Sequence, residues 1–227
     1  MDRLLDLPRD RSAVSAVRDT ATGEWAHLTW SELLAGVRRA AGGAGERGDG
    51  RSWSAHRGGG QLVTDLALQF AGVVGELRGD GAGVGAAGDD PGRLVRMRQD
   101  VRPRDPAVRT GAGVLDHAAV AETASRLCHR LAPAPGLLPT VVMSTADAAT
   151  EQALGWACVW GGLTLVCSDS TRVNLTNPDV WVCVPDQLAA AVPVTRSRLR
   201  AVFVVGQLPA PARSWRDVGV DVREWAA

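Results

Sequence analysis

The first strongly patterned stretch begins at Thr29. After Thr29-Trp30-Ser31-Glu32, apolar residues recur at helical spacing as Leu33, Leu34, Val37, Ala40 and Ala41. The four opening residues have the form of a capping box: the Thr29 hydroxyl can accept from the backbone at Glu32, and the Glu32 carboxylate can reach back. Gly42-Gly43 supplies the stop. A second helix is predicted over residues 61–77, with Leu62, Leu66, Phe70 and Val73 or Val74 on its buried side. RSWSAHRGGG, between the two, stands where a strand would be expected but is too polar and glycine-rich to be assigned as one.

The pattern changes beyond residue 110. Asp116 is placed to cap a helix whose apolar stripe is Val120, Ala124, Leu127 and Leu131. TVVM (140–143) follows, then a helix over 148–161, LTLVC (163–167), VWVCV (180–184), a short helix from Asp186, and AVFVV (201–205). These strand candidates are continuous runs of β-branched and apolar residues, which marks parallel strands covered on both faces by helices. The predicted class is therefore α/β, with an open, doubly wound, mostly parallel sheet. The chain divides into an N-terminal α/β subdomain (1–77), a connector rich in Gly, Asp and Arg (78–110) and a second parallel α/β subdomain (111–227).

Composition narrows the chemistry. The 227 residues carry 25 basic and 25 acidic side chains, so the formal net charge is zero. Every basic residue is Arg, and Lys, Ile and Tyr are absent, as a GC-rich genome dictates. A neutral chain argues against a nucleic-acid or anionic-membrane surface, since both need an excess of cations to neutralise phosphates. Any mechanism that needs a lysine within this chain is excluded. The opening MDRLLDLPRDRS lacks a signal-peptide pattern, and no apolar run reaches the ~18 residues of a membrane span. Cys128, Cys158, Cys167 and Cys183 lie in apolar runs without a CxxC pair, which fits buried thiols in a reducing cytoplasm.

Several local patterns suggest chemistry but have simpler readings. Gly83 to Gly88 spell GxGxxG, but no buried strand leads into them and DDPG follows, so a linker explains them. Cys128 and His129 are adjacent on a helix and point about 100° apart, so they cannot act as a dyad. Asp147 and Glu151 fit a solvated helix N-terminus, where the dipole favours carboxylates. Trp156, Trp160 and Trp181 read as core, because no basic stripe accompanies them. His117 reads as a helix-start histidine bonded to nearby backbone. Arg93, Arg96, Arg98, Arg102, Arg104 and Arg109 form the one local charge excess. It is either a solvated linker or an anion site for a nucleotide, CoA or a carrier protein.

Placed end to end, the segments resemble the adenylate-forming (AMP-binding) ligase superfamily in its long-chain fatty acyl-CoA ligase branch. WAHLTWSELLAGVRRAAGG resembles that family's opening helix after an "LTW-x-E" start. VTDLALQFAGVVGEL resembles its "aDlAlqlAGav" helix, and VRPRDPAVRTGAGVLDHAAVAE the approach to the nucleotide loop and the "GV-x-LTH" helix. WGGLTLVCSDS, NPDVWVCVPDQL and LRAVFVVGQLPAP resemble the following strands and the turn near the adenine site. GVDVREWAA resembles the strand that leads into "YGxTE".

The resemblance implies a set of site residues. Thr110, Gly111 and Gly113 stand where the family's phosphate loop lies, His117 where its "LTH" histidine lies, and Gly206 at the adenine-side turn. Trp225 takes the place of the aromatic residue that stacks on adenine, and Arg102 and Arg104 are the candidate anion donors. The family's loop ends in Pro-Lys-Gly, whereas RTGAGV here has no lysine. The Thr-Glu magnesium pair and the lid with its catalytic lysine have no counterpart in this sequence, so no metal ligand is expected. Acyl adenylation stabilises a pentacoordinate phosphate with cations and magnesium, so this sequence points away from it.

Three functions remain. The chain is a non-catalytic accessory or binding subunit with residual ATP, AMP or CoA affinity; an acyl-activating ligase completed by a partner chain; or an enzyme of different chemistry on the same scaffold. A homodimer or another protein is expected to cover the sheet margin, where Val218, Val220, Val222 and Trp225 fall.

Overall fold

The computed structural model describes residues 15–19, 26–45, 66–68, 75–76, 101–110, 113–134, 136–144, 148–167, 178–193 and 198–225. In order these form β1 (Ser15–Asp19), β2 (Ala26–Thr29), α1 (Trp30–Gly45), β3 (Gly75–Glu76), β4 (Pro106–Thr110), β5 (Gly113–Asp116) and α2 (His117–Leu131). Then come β6 (Thr140–Met143), α3 (Ala148–Gly161), β7 (Thr164–Cys167), β8 (Val180–Cys183), α4 (Pro185–Ala190), β9 (Ala201–Val204), α5 (Ala212–Asp217) and β10 (Asp221–Glu224).

Among the described residues seven strands make the large sheet, in the order β10-β9-β8-β6-β7-β1-β2. All neighbours from β10 to β1 pair in parallel, and β2 closes the far edge antiparallel to β1. The expected mostly parallel, doubly wound sheet is therefore present. Its faces have separate cores. On one, α1, α2 and α3 contribute Leu33, Val37, Val120, Leu127 and Leu154, which meet Val141, Leu165, Val182 and Phe203. On the other, Leu188 of α4 and Ala212 and Trp215 of α5 meet Val142, Trp181, Val202, Val204 and Val222. Successive strand residues turn to opposite faces, so both helix layers draw on the same short apolar runs.

Local signals explain the boundaries. The Thr29 backbone N–H and hydroxyl both donate to a Glu32 carboxylate oxygen at 2.8 Å, and the Glu32 N–H donates to Thr29 Oγ1 at 3.2 Å. The capping box is made as read, although α1 runs past Gly42-Gly43 to Gly45. The predicted 61–77 helix needs correction at its end. Residues 66–68 are helical with Leu66, Ala67 and Leu68 buried, but Gly75–Glu76 is a strand paired with Val108 and Arg109. Pairing with β4 wins over helical periodicity there. RSWSAHRGGG, the GxGxxG and Arg93, Arg96 and Arg98 fall outside the described residues, as does Asp147.

The segment read as a connector ends in β4, the middle strand of a small sheet ordered β3-β4-β5. Asp179 then fastens the amino ends of the large sheet. Its buried carboxylate accepts from Thr140 N–H at 3.0 Å and from Arg198 Nη2 at 3.3 Å, and its carbonyl accepts from Arg200 N–H at 2.8 Å.

At the margin, Val220 and Val222 are buried beneath Trp215 of α5, so the chain itself covers these two valines. The margin position itself is as read, since β10 is the outermost strand on that side.

Candidate functional site

Open parallel sheets place ligands beyond the carboxyl ends of their strands, where neighbouring crossovers leave in opposite directions. Here that point is β6. From β6 the chain moves through α3 to β7 on one side, and β8 returns to the other side. Ser144, directly after β6, is buried there. Its N–H donates to Val182 O at 2.9 Å, its hydroxyl donates to Gln187 Oε1 at 3.0 Å, and it accepts from Trp181 Nε1 at 2.7 Å. Gln187 Oε1 also accepts from Val184 N–H at 3.2 Å. A backbone N–H can only donate, so this bond fixes which end of the Gln187 amide is oxygen. The Gln187 NH2 is then the end that can turn to a ligand. The Ser144 hydroxyl proton is directed at an amide oxygen, which is not a base that could activate it.

Sequence reasoning missed Ser144 and Gln187. The signal was present, as a serine directly after an apolar strand and a glutamine in the first turn after the next. Which of many such residues meet is a tertiary matter. Trp181 is core, as read, with no exposed surface.

The residues singled out from the sequence separate into three places. Thr110 and Gly113 face each other across the β4–β5 ladder, so only residues 111 and 112 lie between them, and Gly111 is outside the described residues. Gly113 has φ of +142°, which favours glycine. Arg109, exposed, is one residue from this tip and paired with Val114.

Arg102 and Arg104 are exposed just before the other end of the hairpin, whose base at Pro106 is about 13 Å from the tip at ~3.3 Å per residue. There residues 102–105 fold against the start of α2. Arg102 N–H donates to Asp105 Oδ2 at 2.7 Å, His117 N–H to Asp105 O at 3.2 Å, Ala118 N–H to Pro103 O at 2.8 Å, and Ala119 N–H to Asp116 Oδ1 at 2.7 Å. The first three N–H groups of α2 are thus occupied, and its N-terminus has little to offer an anion. His117 is half-buried there. Burial holds its pKa below the ordinary histidine value, against the raising influence of Asp105 and Asp116, and Nε2 is buried without a hydrogen-bond partner among the described residues.

Gly206 and Trp225 lie at the same end of the large sheet. They follow the neighbouring strands β9 and β10, and Trp225 N–H donates to Val204 O at 2.7 Å. Gly206 has φ of +107°, and a Cβ there would meet only Pro185 Cγ at 3.8 Å, so backbone conformation and not space selects glycine. Leu208 N–H reaches Glu224 Oε1 at 3.4 Å, which draws the turn after β9 onto the end of β10. The Trp225 ring is half-buried, edge-on to Phe203 at 5.8 Å, with the Arg130 guanidinium 5.5 Å from its centroid. Arg130 occupies a face of the indole that the resemblance would give to a base.

Among the described residues no cluster of three or more His, Cys, Asp or Glu could hold a metal ion. Burial pushes the Cys183 thiol up to about 12 and Cys158 well above the usual thiol range. Cys128 is half-buried and His129 exposed.

Solved structures share this fold. The chain superposes on a nonribosomal peptide synthetase in its AMPPNP-bound form with TM-score 0.68 and 17% identity, over 98% of this chain and 30% of that one. An o-succinylbenzoate CoA synthetase from Bacillus subtilis gives 0.67 and 13% over 97% and 57%. A long-chain-fatty-acid-CoA ligase from Archaeoglobus fulgidus gives 0.69 and 14% over 98% and 62%. The fold is that of the adenylate-forming ligases. No protein-family model matches the chain, and no curated protein does.

The chain thus spans between 30% and 62% of the length of these adenylate-forming ligase-fold structures. Within that fold, the strand-end pair of Gly206 and Trp225 belongs to the large sheet, and the Thr110–Gly113 tip to the small one. No described helix is long and apolar enough to cross a membrane.

Proposed function

We propose that this chain is a binding module on the adenylate-forming ligase scaffold that holds an acyl, nucleotide or protein ligand without itself activating an acid. The observation that carries this reading is the hairpin tip. A loop that cradles a triphosphate needs several consecutive backbone N–H groups free to turn toward it, with a cation beside them. Here two residues separate ladder-paired Thr110 and Gly113, the chain contains no lysine, and the start of α2 lies at the far end of the hairpin with its first N–H groups already bonded. The ligand surface in this reading is the carboxyl edge of the sheet. On that edge the Gln187 amide offers a donor for an oxygen, and the exposed Gly206 turn, where a Cβ would meet only Pro185, leaves room for a ligand. ATP, AMP and CoA are the ligands to try.

The test is carboxylate-dependent pyrophosphate exchange with a panel of fatty acids, alongside calorimetric titration with ATP, AMP and CoA. Exchange at the level of a no-protein blank, together with measurable binding of one of the three, is the expected result. Exchange clearly above the blank would defeat the reading.

A second reading has its own support. In it, acyl activation belongs to a complex that this chain forms with a partner polypeptide, on the fold that it shares with acyl-CoA ligase structures. Co-purification of a native complex that catalyses exchange, where the isolated chain does not, would establish it.

A further inference from the structure

Among the described residues β10 is the outermost strand on its side of the large sheet, and the chain's own side chains bond to its outer edge. Asp221 N–H and Trp225 N–H donate to Arg200 O and Val204 O, so alternate residues of β10 face β9. In a parallel ladder the N–H and C=O of one residue point the same way, so those of Val222 and Glu224 face outward. Both outward carbonyls are taken by arginines. Arg216 Nη2 donates to Val222 O at 2.6 Å, and Arg130 Nη2 donates to Glu224 O at 3.2 Å.

The two arginines reach the edge from opposite faces. Arg216 lies on α5, whose Ala212 and Trp215 pack in the core that contains Val222. Arg130 lies on α2, whose buried stripe packs in the other core, and its guanidinium rests 5.3 Å from the Phe203 ring as well as against Trp225. Arg223 and Asp221, paired at 2.6 Å, add exposed charge along the strand. A bare edge is a template for another strand, and natural sheets block it with charge and with short strands.

We propose that Arg130 and Arg216 are edge guards: they occupy the two outward carbonyls of β10 and keep a second copy of this chain from adding to the sheet. The surface that the sequence marks as the place for a partner is then closed to strand addition, and any partner docks elsewhere. A carbonyl has two lone pairs, but an arriving strand must come within ~4.8 Å along the edge that the guanidinium groups fill. The inference is independent of the ligand reading above.

The experiment compares the full chain with Arg130→Met plus Arg216→Met by light scattering over a dilution series, with circular dichroism to check folding. The double variant should associate at concentrations where the parent does not, with roughly twofold or greater apparent mass. Arg130→Lys plus Arg216→Lys retains a donor at each carbonyl and should follow the parent. Coincident curves for the methionine variant and the parent would overturn the proposal. A second measurement holds even if that variant does not fold. Glu224→Cys in the parent, under mild oxidation, should give no covalent dimer beyond that of the parent. A new dimer through position 224 would show an open edge and overturn the proposal.

Discussion

Arg130 and Trp225 are separated by 95 positions in the chain and by 5.5 Å between guanidinium and indole centroid. The contact ties the last turn of α2 to the carboxyl end of β10, and Phe203 of β9 completes it from the other ring. A half-exposed cation over two aromatic rings contributes about 0.5–1 kcal/mol. A double-mutant cycle with Arg130→Met and Trp225→Leu should therefore give a coupling energy in that range by urea denaturation. Additive effects would mean that the arginine rests beside the ring without stabilising it.

Ser144 is the acceptor for Trp181 Nε1 in a region without water access. Ser144→Ala leaves that indole N–H buried and unpaired, which costs about 1–3 kcal/mol. The measurement is the urea midpoint of Ser144→Ala against the parent. Ser144→Thr, which keeps the oxygen, should lose less.

Gly161 closes α3 against α2. A Cβ there would overlap Cys128 Sγ and lie 3.1 Å from Leu163 Cγ. Gly161→Ala should destabilise by about 1–3 kcal/mol through overpacking, despite the better helix propensity of alanine. In a Cys128→Ala background the same change should cost clearly less, because the overlapping atom is gone. Equal costs in both backgrounds would place the strain elsewhere.

His117 has a folded pKa below its unfolded value, chiefly through burial. The native state then binds fewer protons than the unfolded state between the two pKa values, so stability rises with pH there. The contribution is complete above the ordinary histidine value of about 6.5 and is lost as pH falls toward the lowered one. Denaturation midpoints from pH 7.5 down to 5 should fall more steeply for the parent than for His117→Gln. Parallel profiles would show that the imidazole is not desolvated on folding.

Arg109 adjoins the hairpin tip, whereas Arg102 and Arg104 sit at its base. With the ligand at the carboxyl edge of the large sheet, Arg109→Gln should leave AMP binding unchanged; a loss of about tenfold, on the scale of one charge-assisted hydrogen bond, would put an anion at the tip. Arg102→Gln with Arg104→Gln should also leave it unchanged. A loss with this pair in calorimetry would move the anion site to the base of the hairpin.

Short-range information in the sequence determined a good deal. The Thr29–Glu32 box, the Asp116 cap and the stripe from Val120 to Leu131 were readable because each involves residues within a turn or two of one another. Apolar runs such as TVVM and VWVC announced buried parallel strands because covering both faces leaves no polar alternation. Tertiary structure decided the rest. The strand at Gly75–Glu76 exists through pairing with Val108 and Arg109, which local periodicity does not encode. Whether Thr110, Arg102 and Trp225 form one site or three depended on where a hairpin tip and its base point. The Ser144–Gln187 pair and the two arginines over the β10 carbonyls are long-range meetings of unremarkable residues. A side chain's partner across 40 or 90 positions is set by strand order and helix placement, and only the packed sheet fixes those.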